Sequence, residues 1–209
     1  MNKQKSKEII SILKKIIPDP VCELDFRNNY ELICAVMLSA QTTDKRVNLI
    51  TPNLFLKYPS PKDLMNAQFD DVKNIISSVG LANTKAKNLI SMAKILHEQY
   101  NDIVPQSMEE LASLPGVGRK TASVVLAVGY KIPAMPVDTH LYRMAIRLGY
   151  VKKDADVLAA EKAYKRYIPK EEWIDSHHLI LLFGRYYCKA INPICDGCLL
   201  KEYCKYKSR

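Results

Sequence analysis

The sequence has no long apolar segment and no export signal. Its longest unbroken apolar run is Leu32–Leu38, far below the roughly 20 residues that span a bilayer, and the N-terminal segment Met1–Lys7 is polar. Glycine is scarce, at 7 residues, and no Ser/Gly-rich stretch occurs, so neither disorder nor a flexible linker is predicted. We expect a folded cytoplasmic protein with no membrane partner.

Positive charge exceeds negative charge. The chain carries 31 Lys and Arg against 22 Asp and Glu, a formal net charge of +9. This excess favours a polyanionic partner, because neutralised phosphates release counterions. Solvated surface lysines would give the same total, so the charge permits a nucleic-acid partner without requiring one.

Apolar residues recur with the period of an α-helix, and alternating strand patterns are scarce. Residues 4–17 place four apolar side chains on one helical face before Pro18. The segment 31–40 is apolar on every face in its middle, which suits a buried central helix or, as an alternative, a buried strand. The helical period returns at residues 86–93, 121–128 and 141–148. Breaks at proline and glycine divide the chain into about nine or ten short helices, so an all-α fold is predicted.

The segment Leu111–Ala122 ends one helix, turns tightly and opens another. Pro115 would stop the first helix, and Gly116 and Gly118 would permit positive φ and close backbone approach. Amides at the start of the second helix can bind a phosphate. A simple tight turn is the alternative for the Pro-Gly-Val-Gly tetrapeptide by itself, but the Arg-Lys pair that follows favours a DNA-binding helix-hairpin-helix. Such a motif contacts the DNA backbone without recognising the bases.

Lys120 is the candidate nucleophile. An amine in the first turn of a helix lies near the positive end of the dipole, which favours its neutral, nucleophilic form. Schiff-base chemistry at a sugar carbon requires such an amine. A lysine that only contacts phosphate is an equally supported interpretation of this position.

Asp138 lies in the segment Pro136–His140, directly before a predicted helix. Aspartate is among the best N-cap residues, so capping alone would explain it. An ionised carboxylate held by helix amides can also stabilise positive charge on a sugar during glycosidic cleavage. Capping and catalysis are therefore compatible.

Four cysteines lie within the 17-residue segment 188–204, with the spacing Cys-x6-Cys-x2-Cys-x5-Cys. Disulfides are not expected in the cytoplasm, so this spacing predicts a metal site. Four thiolates suit a tetrahedral zinc or an iron–sulfur cluster, and the spacing matches neither paired zinc knuckles nor the ferredoxin run. Cys22 and Cys34 are interpreted as buried packing residues.

Together these segments resemble the endonuclease III family over essentially the whole chain. The resemblance is carried by the hairpin, the Val137–His140 segment and the cysteine spacing, with Leu38–Asp44 and Gly80–Ala86 also matching. It implies two α-helical lobes with a DNA-binding cleft between them. One would be a six-helix barrel at residues 22–132 with the helix-hairpin-helix at about 108–128. The other would join residues 1–21 to 133–209 and carry the cluster loop at 188–204.

The resemblance also implies the activity: a bifunctional DNA glycosylase/AP lyase of base excision repair that removes oxidised pyrimidines. Lys120 would attack C1′ of a flipped nucleotide and cleave the strand 3′ to the abasic site by β-elimination, with Asp138 in support. Gln41 would fill the gap in the duplex and Leu81 would wedge into it. The residues expected to contact DNA are Gln41, Leu81, Gly116, Gly118 and Arg119.

The same resemblance implies a [4Fe-4S] cluster on Cys188, Cys195, Cys198 and Cys204. The partner would be double-stranded DNA with a damaged base or abasic site, and a monomer at the nucleoid is expected. The chain departs from the family between the first two cysteines, where Lys189 is the only basic residue. That departure lowers the share of DNA affinity expected from this loop.

Two rival functions remain open at this point. An adenine glycosylase of the same superfamily would need a carboxylate in the first barrel helix and would lack the lysine, but residues 32–39 hold no acidic residue and Lys120 is present. A non-catalytic DNA-binding module with a structural zinc is compatible with the bare cysteine spacing.

Overall fold

The computed structural model describes residues 1–206 of the chain. Within that range it contains eleven α-helices and no strand, which confirms the all-α prediction. The chain divides into two compact units. The continuous unit is Glu23–Ile132, and the discontinuous unit joins Met1–Cys22 to Pro133–Arg209.

The continuous unit is built from seven of the described α-helices. They are α2 (Asn29–Ser39), α3 (Asp44–Lys57), α4 (Pro61–Met65), α5 (Phe69–Ile75), α6 (Ala82–Tyr100), α7 (Met108–Ser113) and α8 (Arg119–Val124). The long helix α6 packs against α4, α5 and α2. Helix α2 also packs against α3 and α8, which places it in the middle of this unit.

Helix α2 resolves the ambiguity of the apolar segment in favour of a helix. The Asn28 side chain accepts a hydrogen bond from the Glu31 amide and so caps the helix N-terminus. Nine successive residues, from Tyr30 to Leu38, are buried, as expected for a helix that is apolar on every face. The buried Glu31 carboxylate is paired, since Arg27 Nε donates to its Oε1 at 2.8 Å.

The helix that follows the hairpin is shorter than its sequence pattern predicts. The 3.6-residue period over 121–128 predicted one regular helix, but α8 gives way to a π-helical segment, Val125–Gly129. The wider hydrogen bonding is seen where the Tyr130 amide donates to the Val125 carbonyl. Periodicity alone does not separate α from π turns, and π segments are frequent at functional sites.

The discontinuous unit contains the remaining described α-helices, which are α1 (Lys3–Ile16), α9 (Thr139–Arg147), α10 (Val157–Tyr167) and α11 (Trp173–Tyr186). Short 3₁₀ turns lie at Lys170–Glu172 and Lys201–Tyr203. Helix α11 packs against α9 and α1. The amphipathic pattern of residues 4–17 is confirmed, because Ile9 and Leu13 on α1 are fully buried in the core of this unit.

Among residues 1–206, none of the helices combines the length and the apolar character needed to cross a membrane.

Candidate active site and cysteine loop

The predicted hairpin is present between α7 and α8. Ser107 begins it by accepting from the Glu110 amide, and Leu114 and Val117 are buried, as predicted, anchoring the turn. Gly116 has φ of +77°, and a Cβ there would lie 2.8 Å from Met37 Cε. Side-chain space and backbone conformation therefore both require glycine at Gly116.

The backbone conformation of Gly118 differs from the one predicted. Its φ is −88° and its ψ is 174°, an extended conformation open to any residue, and a Cβ there would meet no atom within 4 Å. The expectation of positive φ is wrong for this glycine, whereas the open space beside it leaves its backbone accessible to close approach. Gly118 is instead the N-cap of α8, where no side-chain cap bond is made, so the first-turn amides are not covered by a capping side chain.

Lys120 lies in the first turn of α8, directly after Arg119, and both residues are exposed. The buried side of the same helix is formed by Ala122 and Ser123. The helix is thus held to the core by small residues while the Lys120 side chain projects into solvent, where it is accessible to a large substrate.

Asp138 is the N-cap of α9, as predicted. Its Oδ1 accepts from the Leu141 amide at 2.8 Å, and its backbone is extended. The cap uses one carboxylate oxygen, so Oδ2 takes no part in it. Nearby, burial lowers the pKa of His140, Arg143 and Arg185 act in the same direction, and Asp138 partly opposes them.

Gln41 and Leu81 occupy two turns that touch each other. Both residues are exposed and both adopt the left-handed conformation, with φ of 57° for Gln41 and 61° for Leu81. The Gly80 amide donates to Thr42 Oγ1 at 3.3 Å, and a Cβ on Gly80 would lie 3.4 Å from the Gln41 carbonyl oxygen. Left-handed backbone costs about 1–2 kcal/mol at a non-glycine residue, and such strain is concentrated at functional sites.

The four loop cysteines form no disulfide and are of intermediate burial. Arg147, a residue not singled out from the sequence, is buried beside them and donates from Nη1 to Cys188 Sγ at 3.1 Å and to the Lys189 carbonyl at 2.8 Å. Arg143 adds a bond from Nε to the Cys188 carbonyl. Two guanidinium groups therefore hold the start of the loop. In the sequence, the one feature that could have indicated this role is that the two arginines lie one helical turn apart.

The four loop cysteines supply soft sulfur donors, the type of ligand that iron–sulfur groups and zinc both accept. Within the described part of the chain no three His, Cys, Asp or Glu residues converge closely enough for a single metal ion. Burial raises the pKa of Cys204, and the nearby thiols of Cys188 and Cys198 act in the same direction, so these thiols lie within electrostatic reach of one another. Four soft sulfur donors in one loop suit a group that is ligated by thiolates, of which an iron–sulfur cluster is one kind.

Cys34 and Cys22, both expected to be buried, differ in their burial. Cys34 is fully buried in α2, as predicted. Cys22 is only partly buried, so the expectation that it is a core residue is wrong. Cys22 precedes the continuous unit, in a stretch without regular secondary structure, where fewer neighbours cover a side chain.

The helical fold and the hairpin define a class of DNA-repair protein. Residues 34–170 match the family model described as "HhH-GPD superfamily base excision DNA repair protein". The chain belongs to this superfamily and, within it, to the endonuclease III family. It is accordingly a base-excision-repair enzyme with DNA glycosylase and AP lyase activity.

Similarity to individual relatives extends over the full chain. Endonuclease III of Bacillus subtilis (strain 168) is 44% identical over 202 residues, which is 95% of this chain and 92% of that protein. Endonuclease III of Escherichia coli (strain K12) is 40% identical over 209 residues, covering 100% and 99%. A trapped endonuclease III–DNA covalent intermediate, in an estranged-adenine complex, superposes with a TM-score of 0.95 at 44% identity, covering 98% of this chain and 96% of that one.

Proposed function

We propose that the enzyme removes oxidised pyrimidines from double-stranded DNA and cleaves the strand 3′ to the resulting abasic site, with Lys120 as its nucleophile. The observation that carries the proposal is the exposed Lys120 amine in the first turn after the hairpin. Its chain is similar to an endonuclease III that was trapped covalently on DNA.

Lys120 Nζ would attack C1′ of the damaged nucleotide. The C1′–base bond breaks, its electron pair leaves with the base, and a new C1′–N bond forms. Ring opening then gives an imine, and loss of a C2′ proton expels the 3′ phosphate by β-elimination. One amine thereby performs both base removal and strand cleavage.

Asp138 would stabilise the positive charge that develops on the sugar. Its cap bond fixes one carboxylate oxygen, so the side chain is already oriented before substrate binds. A preoriented carboxylate acts without reorganisation as the charge forms. Asp138 would also support the deprotonation steps that follow.

Gln41 and Leu81 would maintain the duplex around an extruded nucleotide. A base in a stacked duplex shields its C1′ from attack, so glycosylases flip it out of the helix. Exposed side chains on strained turns, such as Leu81 with 58% exposure, can enter the space that the base leaves. Gly116, Gly118 and Arg119 of the hairpin would contact the DNA backbone.

Cys188, Cys195, Cys198 and Cys204 would hold a [4Fe-4S] cluster. When bound, the cluster supplies a rigid crosslink between its four cysteines. Arg147 and Arg143 would orient the loop through their bonds to the thiol and carbonyl of Cys188.

We further propose that the enzyme is a monomer and acts at the nucleoid in the cytoplasm.

Product analysis tests the proposed function. A duplex with one oxidised pyrimidine should yield free base and a strand cut that leaves an unsaturated aldehyde on the 3′ end. Lys120→Met should lose both products together, because one amine carries both steps. Cleavage that survives in Lys120→Met, or base release without any cleavage in the wild type, would contradict the proposal.

A further inference from the structure

A buried ammonium group lies beneath the turns that carry Gln41 and Leu81. Lys85, in the first turn of α6, is 6% exposed. Its Nζ donates to the Leu38 carbonyl at 2.7 Å and to the Ala40 carbonyl at 2.5 Å, and lies 3.4 Å from Thr42 Oγ1. An ammonium has three protons to donate, so this environment can satisfy each of them. Burial lowers the pKa of Lys85, which reflects the cost of placing a charge there.

The three acceptors flank Gln41 on both sides. Leu38 belongs to the last turn of α2, where carbonyls lack partners within the helix. Ala40 precedes Gln41 and Thr42 follows it. The ammonium therefore holds the backbone before Gln41 and the Thr42 hydroxyl after it. Gln41 itself is held at φ of 57°, a conformation that persists only when its surroundings enforce it.

The backbone of Lys85 reaches the second turn. Its amide donates to the Leu81 carbonyl at 3.0 Å, so one residue bonds the Leu81 turn through its main chain and the Gln41 turn through its side chain. Thr42 Oγ1 completes the link by accepting from the Gly80 amide at 3.3 Å. The two strained turns are thus joined through Lys85.

We propose that Lys85 is a positioning residue that fixes the Gln41 and Leu81 side chains relative to each other for insertion into duplex DNA. This inference rests on the proposed roles of Gln41 and Leu81. Lys85 is buried and acts only through the two turns. Its effect should therefore appear where a nucleotide must be extruded from a duplex and be small where no duplex has to open.

The test compares Lys85→Met, of similar length without the donors, with Lys87→Met, which removes the same charge from an exposed site on α6. Single-turnover rates are measured on an oxidised pyrimidine in a duplex and on an abasic site in a single strand. Lys85→Met should slow the duplex reaction about tenfold or more while changing the single-strand reaction far less. Lys87→Met should match the wild type on both.

A double-mutant cycle with Gln41→Ala separates positioning from a general defect. If Lys85 acts through Gln41, Lys85→Met should lower the duplex rate much less in the Gln41→Ala background than in the wild type. An unchanged duplex rate in Lys85→Met, equal losses on both substrates, or full additivity with Gln41→Ala would each overturn the inference. Unchanged duplex rates in both Gln41→Ala and Leu81→Ala would instead refute the proposed roles of those residues.

Thr42→Val provides a second variant if Lys85→Met does not fold, as judged by thermal unfolding. It removes only the hydroxyl that links Gly80 to the Lys85 ammonium. The duplex rate should fall about threefold or more, as expected for the loss of the long hydrogen bonds that this hydroxyl accepts from Gly80 and Lys85, with the same non-additivity toward Gln41→Ala. A wild-type duplex rate in Thr42→Val would overturn the inference.

Discussion

At the scale of single residues, the cap bond of Asp138 and its proposed chemical role can be separated by substitution. Asparagine caps helices as well as aspartate does, but it carries no charge to stabilise a cationic sugar. Asp138→Asn should therefore change the free energy of unfolding by less than about 1 kcal/mol and lower turnover about 100-fold or more. Thermal unfolding and single-turnover kinetics measure the two effects.

The matched control is Asp156, which caps α10 in the same way, with its Oδ1 accepting from the Ala159 amide at 2.6 Å. Asp156→Asn should leave both stability and turnover close to those of the wild type. If Asp138→Asn instead loses turnover only in proportion to stability, Asp138 is a capping residue and nothing more.

Residues whose role is local could be predicted from the sequence, and those that act across long separations could not. The Asp138 cap bond joins residues three apart, and the cysteines lie in one short segment. Lys85 bonds a carbonyl 47 residues away, and Arg147 bonds a thiol 41 residues away. Their partners are brought close only by the packing of helices, which residue type and spacing do not display.

At the scale of secondary-structure elements, the hairpin depends on its two glycines unequally. Gly116→Ala would place a Cβ 2.8 Å from Asn88 Cβ and Met37 Cε at φ of +77°. Positive φ and overpacking together should destabilise the protein by about 2–4 kcal/mol. Denaturant unfolding should show this loss as a lower midpoint.

Gly118→Ala is the internal control, because its φ of −88° suits any residue and no atom lies within 4 Å of the added Cβ. Its stability should stay within about 0.5 kcal/mol of the wild type. Equal destabilisation by the two substitutions would show that the hairpin does not depend on Gly116 more than on Gly118.

Periodicity predicted the existence of the helices better than their internal geometry. The amphipathic α1 followed from the pattern of apolar residues, which decides which face of a helix is covered. The same pattern predicted that the α2 segment is buried but left helix and strand open, because it is apolar on every face. The π segment Val125–Gly129 did not, because a change from i→i+4 to i→i+5 hydrogen bonding leaves the pattern of apolar residues unchanged. Gly129, at the end of this segment, packs so closely beside Asn29 at the start of α2 that a Cβ would clash with Asn29 Oδ1. That contact joins residues 100 positions apart.

At the scale of the whole molecule, we expect the protein to bind an iron–sulfur cluster on its cysteine loop and to depend on that cluster for its stability. We expect the purified protein to be brown and to contain iron and acid-labile sulfide, because thiolate-ligated iron–sulfur groups absorb visible light. Cys195→Ala should lose iron, colour and thermal stability together, whereas Cys22→Ala, outside the loop, should keep all three. A colourless wild-type protein that carries one zinc and retains full activity would contradict the cluster assignment.

The proposed activity depends above all on the amine of Lys120 becoming bonded to C1′ of deoxyribose. The most direct test of this bond is incubation of the enzyme with an abasic duplex under borohydride, which reduces the imine to a stable amine. The wild type should form a covalent protein–DNA species, and Lys120→Met should form none while still binding the duplex. An undiminished adduct in Lys120→Met, or none with the wild type, would contradict the assignment of Lys120 as the nucleophile.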